Sequence, residues 1–142
     1  MAAVIVKLAL AFLLMALCVV IHAFTILLTL RQVRGRLDAA DAFSWTTLGL
    51  MVHIASNLTF AHLVEIVLWG YLYMLRGVFP DAETAHYFSA VTYTTVGYGD
   101  LVPPVEWRVL AAVEGLTGIL MCGWSAGFFF ATVGRLLRVT ER

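Results

Sequence analysis

Three apolar runs decide what this chain can fold into. Residues 4–30 are apolar apart from Lys7, His22 and scattered threonines, residues 45–75 form a second run and residues 107–137 a third. Each exceeds the roughly 20 residues an α-helix needs to cross the hydrocarbon of a bilayer. Inside lipid the backbone N–H and C=O groups find no water, so each run must satisfy its own backbone groups as a helix. With 62% hydrophobic and 13% charged residues in 142, a soluble domain of this size could not stay in solution. The expected fold class is an all-α membrane protein. Formal net charge is zero, which offers no basic field to nucleic acid; the expected surroundings are membrane lipids. Cys18 and Cys122 both lie inside apolar runs and read as small packing residues rather than a disulfide.

Between the second and third runs the chain turns polar. Pro80 marks an outer connection, Asp81 suits an N-cap and Glu83 suits a first helical turn, so residues 82–94 read as a helix too short to cross. Such a re-entrant segment is allowed only where it is buried in protein or lines water. Its C-terminal end carries partial negative charge and would favour a cation at the membrane centre. Directly after it comes Thr94-Thr95-Val96-Gly97-Tyr98-Gly99-Asp100. A dehydrated monovalent cation needs a shell of oxygens in place of water. Backbone carbonyls supply one only if the chain runs extended with its oxygens turned to one side. Gly97 and Gly99 tolerate the positive φ this demands, leaving Val96 and Tyr98 to point outward and wedge the strand against its surroundings.

This heptapeptide resembles the selectivity filter of potassium channels. The resemblance covers residues 65–135 and is similar to the two-helix pore module of small bacterial potassium channels, with residues 4–30 as an extra helix. It implies three transmembrane helices plus a re-entrant pore helix and filter, closed into a homotetramer because one chain supplies one filter strand. It divides the chain into 1–44, the extra helix with a basic loop, and 45–142, a pore domain with outer helix 45–75, pore helix 82–94, filter 95–99 and inner helix 107–137. The permeant ion it implies is K+, with no organic cofactor. K+ would meet the carbonyls of Thr95, Val96, Gly97 and Tyr98 and the Thr95 hydroxyl, with Gly99 completing the strand and Thr94 beside its inner end. Asp100 would sit at the outer mouth, attracting cations or pinning the filter from behind. Many bacterial pores carry a pore-helix glutamate four residues before the second filter threonine. Val91 stands there instead, so the usual carboxyl–aspartate clamp is not expected. Glu65 and Glu114 lie near filter depth and are candidates to support the pore helix through Tyr93, Thr92 or a histidine. The competing reading is a polar clamp between outer and inner helices without a part in conduction.

Charge sets the orientation. Of nine Lys and Arg, six are Arg31, Arg34, Arg36, Arg135, Arg138 and Arg142, which belong on the cytoplasmic side. That puts the N-terminus outside, the C-terminus inside and the filter opening outward in a multi-pass protein of the cell membrane. A cleaved signal at residues 4–30 would leave Arg31–Arg36 outside, against the charge rule, so this run is expected to stay. The polar connection 31–43, with Asp38 and Asp41, reads as a solvated loop or a short interfacial helix.

His53, Asn57 and Glu65 share one face of the second helix, with His62 a turn from Glu65; a polar stripe in hydrocarbon should pack on a neighbouring helix. In the third run Gly118 and Gly123 are hinge candidates. Gly118, Cys122, Ser125 and Phe129 share a face that could line the lower pathway, and Phe128 to Phe130 could form a dewetting gate. No run carries arginines at every third residue, so no voltage sensor is expected. The stretch after Gly134 is short, which places gating in the membrane, the loops or a partner. His22, His53, His62 and His86 could confer pH sensitivity. No nucleophile–base pair, metal-ligand cluster or phosphate loop is visible, so no enzyme is expected. The alternatives to a passive potassium channel are a potassium-transporter subunit and a non-conducting regulatory membrane protein.

Overall fold

A computed structural model describes residues 1–37 and 44–140. It contains helices α1 (Ala2–Leu37), α2 (Trp45–Leu75), α3 (Ala82–Tyr93) and α4 (Arg108–Thr140), with a 3₁₀ turn, Val105–Trp107, leading into α4. Among the described residues there is no strand. α1, α2, and α4 with its leading turn are long and apolar enough to cross a membrane, and α3 is not. The chain is an all-α membrane protein with three spanning helices and one short helix between the second and third.

Local chemistry fixes the helix ends. The Ser44 hydroxyl accepts from the Thr47 N–H at 3.2 Å and caps α2. The far end closes through Gly77 at φ 61, where the Gly77 N–H meets the Met74 carbonyl and the Val78 N–H the Tyr73 carbonyl, each at 3.0 Å. This paired closure needs a residue without Cβ at the left-handed position. Asp81 caps α3 by accepting from the Thr84 N–H at 2.7 Å and its hydroxyl at 2.8 Å. Those two bonds, the backbone one first, hold the Asp81 carboxyl below the usual aspartate range.

Three boundaries differ from expectation. α1 does not stop near residue 30 but continues through Arg31 and Arg34 to Leu37, because no proline interrupts it and arginine propagates a helix well. α3 ends at Tyr93 with Thr94 as its cap, since Thr95 turns left-handed. α4 starts at Arg108, one residue late, behind a 3₁₀ turn in which the Trp107 N–H reaches the Pro104 carbonyl at 2.8 Å, and it runs past residue 137 to Thr140. Asp38, Asp41 and Arg142 lie outside the described residues.

α1 runs antiparallel to α2 and parallel to α4. The Asn57 amide donates to the Thr29 hydroxyl at 3.1 Å and to Gln32 Oε1 at 3.2 Å, and His53 Nε2 lies 2.9 Å from Gln32 Oε1. The polar stripe of α2 therefore faces α1. At the other end Lys7 donates to the Glu106 carbonyl at 2.7 Å and stands 4.3 Å over the Trp107 ring. Two apolar clusters hold the bundle. One gathers Cys18, Trp69, Tyr73, Phe88, Tyr93 and Met121; the other gathers Ile26, Val33, Leu50, Ile54 and Leu58, with Phe128 and Phe129 against it. Polar side chains fall between them on every long helix: His22 on α1, His62 and Glu65 on α2, Ser125 on α4. In hydrocarbon, where burying apolar surface brings no gain over lipid, close packing and such interhelical hydrogen bonds carry the association.

Candidate functional site

The 94–100 loop leaves α3 at its C-terminal end. Thr95, Gly97 and Gly99 have φ of 61°, 53° and 77°, while Val96 and Tyr98 between them keep negative φ. Alternating the sign of φ along a chain tips successive peptide planes the same way, so that their carbonyls gather on one side. For Gly97 and Gly99 this costs nothing sterically. For Thr95, a β-branched residue, it costs about 1–3 kcal/mol and persists only where the surroundings enforce it. Nothing in its residue type marks a threonine for this conformation, so the sequence does not disclose it. Two backbone bonds hold the inner end: the Thr95 N–H to the Thr92 carbonyl at 3.0 Å and the Gly97 N–H to the Val91 carbonyl at 3.2 Å. The Thr94 hydroxyl folds back on the Ala90 carbonyl at 2.6 Å.

All of residues 94–100 are exposed in the single chain. Val96 is 52% and Tyr98 73% accessible, so the wedging contacts expected of them are not made by their own chain. At the outer end Asp100 accepts a hydrogen bond from the Tyr87 hydroxyl at 2.7 Å. Tyr87 lies on α3 one turn before Val91, where the familiar glutamate is missing. It ties the loop to α3 from a neighbouring position that sequence reading passed over.

Behind the loop, both fully buried carboxylates reach α3. Glu114 on α4 accepts from the Ser89 hydroxyl at 2.6 Å and from the Tyr73 hydroxyl at 2.7 Å; Ser89 also lies 2.8 Å from the Ile66 carbonyl. Glu114 thus joins α4, α3 and α2. Glu65 on α2 accepts from the Tyr93 hydroxyl and lies 3.0 Å from His22 Nδ1 on α1. His62 and Ser125 complete that group, and neither His22 nor Ser125 is foreshadowed by sequence spacing. Gly118 faces the same corner. A Cβ there would come within 2.8 Å of the Tyr93 carbonyl carbon, so α4 presses backbone to backbone on the end of α3.

The expected pathway face of α4 is turned largely inward. Gly118 meets Tyr93, Ser125 meets two imidazoles and Phe129 packs on the second apolar cluster, leaving Cys122 exposed. Ser125 finds hydrogen-bond partners and Phe129 apolar ones there, which neither finds on the outer surface. Phe130 remains 74% accessible, and a Cβ at Gly123 would meet no atom within 4 Å.

Residues 59–135, more than half of the chain, match a protein family described as "Ion channel". The chain belongs to this ion channel family. The matched part of the channel begins in α2, takes in α3 and the 94–100 loop and ends in α4; α1 lies outside it. Over 71 residues the channel is 37% identical to the voltage-gated potassium channel Kch of Escherichia coli (strain K12), a stretch covering 45% of the channel and 17% of that protein. The channel therefore corresponds to less than a fifth of this relative's length. No solved structure matches it significantly.

Proposed function

We propose that the protein conducts K+ passively and selectively, through a homotetramer in which four copies of residues 94–100 line one axial path. The observation that carries this reading is the alternation of φ at Thr95, Gly97 and Gly99 in a strand that no part of its own chain covers. The carbonyls of Thr95, Val96, Gly97 and Tyr98, with the Thr95 hydroxyl, replace the hydration shell, and Gly99 lets the strand turn into the outer mouth. Four strands around an axis give each cation oxygens from all sides, which one strand cannot. Val96 and Tyr98 then pack on the neighbouring subunits. The C-terminal end of α3 contributes favourable potential, and Asp100 sits at the mouth, held by Tyr87. Glu65 and Glu114 act as supports of α3, and Gly123 is the hinge position that no intrachain contact fills.

The N-terminus is outside and the C-terminus cytoplasmic. Arg31, Arg34 and Arg135 line one pocket at the end of the bundle assigned to the cytoplasm, in accord with the excess of cations there. Lys7 at the opposite end is engaged with Glu106 and Trp107.

Purified protein in liposomes tests the reading. Expected is a K+ flux that follows the K+ gradient, exceeds Na+ flux and is blocked by Ba2+. In the Gly99→Ala variant, a Cβ at φ 77 should abolish selectivity or conduction while assembly survives. A monomeric protein, or a reversal potential indifferent to K+, refutes it.

A further inference from the structure

The polar layer between the two apolar clusters closes into a ring. His22 Nδ1 meets Glu65 Oε1 at 3.0 Å, and His22 Nε2 meets Ser125 Oγ at 2.9 Å. Ser125 Oγ meets His62 Nε2 at 3.0 Å, His62 Nδ1 meets the Tyr93 hydroxyl at 3.0 Å, and that hydroxyl returns to Glu65. With neutral imidazoles and an ionised carboxylate, the five groups supply four hydrogens for these five contacts. In that protonation state one contact is left with two lone pairs facing each other, a defect that one added proton or a bound cation removes. The ring also encloses a carboxylate whose side chain is 0% accessible and which no Lys or Arg approaches among the described residues.

A divalent metal removes both defects. The geometry points to a metal site for a borderline ion of the Zn2+ type, built from His22, His62 and Glu65. One ligand atom from each lies within 4.8 Å of the others. Nδ1 of His22 stands 3.0 Å, and Nδ1 of His62 3.6 Å, from the Glu65 oxygens. Ligands bonded at about 2.0–2.1 Å in a tetrahedron stand about 3.4 Å apart, so Glu65 Oε1 stands near ligand spacing from His22 and Glu65 Oε2 near it from His62. With both Nδ1 lone pairs on the ion, both Nε2–H groups donate to Ser125 Oγ, which has two lone pairs to receive them. Fixing the far nitrogen of each ligating histidine in this way is what a tuned metal site requires. Tyr93 keeps its bond to Glu65 and borders the fourth coordination position. Imidazole and carboxylate donors suit zinc, with copper the stronger competitor. His62, 19% accessible, is the open edge.

The test uses the full-length protein in detergent, stripped with a chelator and dialysed against zinc. Expected is about one zinc per chain, with Co2+ in its place giving the visible absorption of a tetrahedral site. His22→Gln, His62→Gln and Glu65→Gln should each abolish tight binding. Ser125→Ala should weaken it about 10–100-fold through the lost ligand orientation. Cys122→Ser and His53→Ala should leave it unchanged. Helical content and elution volume check that each variant is folded. The site is refuted if wild type binds no more zinc than the His22→Gln/His62→Gln pair, if binding follows Cys122 or His53, or if cobalt keeps its aqueous spectrum. The cobalt spectrum of wild type decides the matter even if a variant fails to fold. No readout depends on ion flux, so the result is independent of whether the protein conducts K+.

Discussion

Glu114→Leu is the perturbation whose cost can be worked most directly. Tyr73 is fully buried, and its hydroxyl donates to Glu114 at 2.7 Å. Ser89 has a second acceptor, the Ile66 carbonyl at 2.8 Å, and so keeps a partner when Glu114 is removed. The loss is therefore dominated by one orphaned buried hydroxyl, about 1–3 kcal/mol. Glu114→Gln should cost little, about 0.5 kcal/mol. Its amide oxygen still accepts from Tyr73, and its amide nitrogen donates to Ser89, whose own hydrogen turns to Ile66. In Glu114→Leu/Tyr73→Phe no hydroxyl is orphaned, so the double variant should be more stable than the sum of the two single losses predicts. The assay is thermal unfolding of the detergent-solubilised protein. At about 2–4 °C per kcal/mol for chains of this size, Leu should lower Tm by roughly 2–12 °C and Gln by no more than about 2 °C. Strict additivity in the double variant, or equal losses for Leu and Gln, would show that the hydroxyl–carboxylate contact is not what joins α2, α3 and α4.

The remaining predictions concern the loop and its surroundings. Tyr87→Phe removes the bond to Asp100 and should shorten the conducting periods of single channels several-fold; unchanged records would mean that Asp100 is held by something else. Gly118→Ala puts a methyl group into the Tyr93 backbone and should cost at least about 1–3 kcal/mol, read as lost folded yield. Gly123→Ala meets nothing within 4 Å in its own chain and should be tolerated for folding, and the opposite ranking of the two would refute the close approach. Asp81, its carboxyl held down by the Thr84 N–H and hydroxyl, contributes stability that is complete above the unfolded aspartate value of about 3.9. That stability is lost as pH falls through the lower folded value. Acid unfolding curves of wild type and Asp81→Asn should therefore converge only below the ordinary aspartate range, and curves that stay parallel through that window would sink the linkage.

What the sequence discloses depends on how local the cause is. The three spans follow from apolar length alone, and the start of α3 from the single residue Asp81. Positive φ at Gly97 and Gly99 follows from their missing Cβ, whereas positive φ at Thr95 is imposed by the surroundings and leaves no mark on residue type. The facing of the α2 stripe toward a neighbour is legible from periodicity, but the identity of that neighbour is not. His22 and Glu65 are 43 positions apart, and Ser125 is 103 from His22, so no spacing rule brings them together. The row Gly118, Ser125, Phe129 shows why a helical face cannot be assigned from pattern alone. Small, polar and aromatic side chains suit a water path, and they suit equally an interior that offers a carbonyl, two imidazoles and an apolar cluster. Arginines after an apolar run mark where lipid stops, not where the helix does, so the end of α1 at Leu37 is not legible in the sequence.

The first helix lies outside the family match, yet it is fastened at two levels to the fourth and to the turn that leads into it: Lys7 to Glu106 and Trp107 at one, His22 to Ser125 at the other. A swing of α4 must carry α1 along or part these fastenings. If α4 is the arm that moves in the proposed channel, the appended helix is ballast on it rather than a bystander, and whatever lipid or neighbour grips its outer surface gains leverage over the proposed pore.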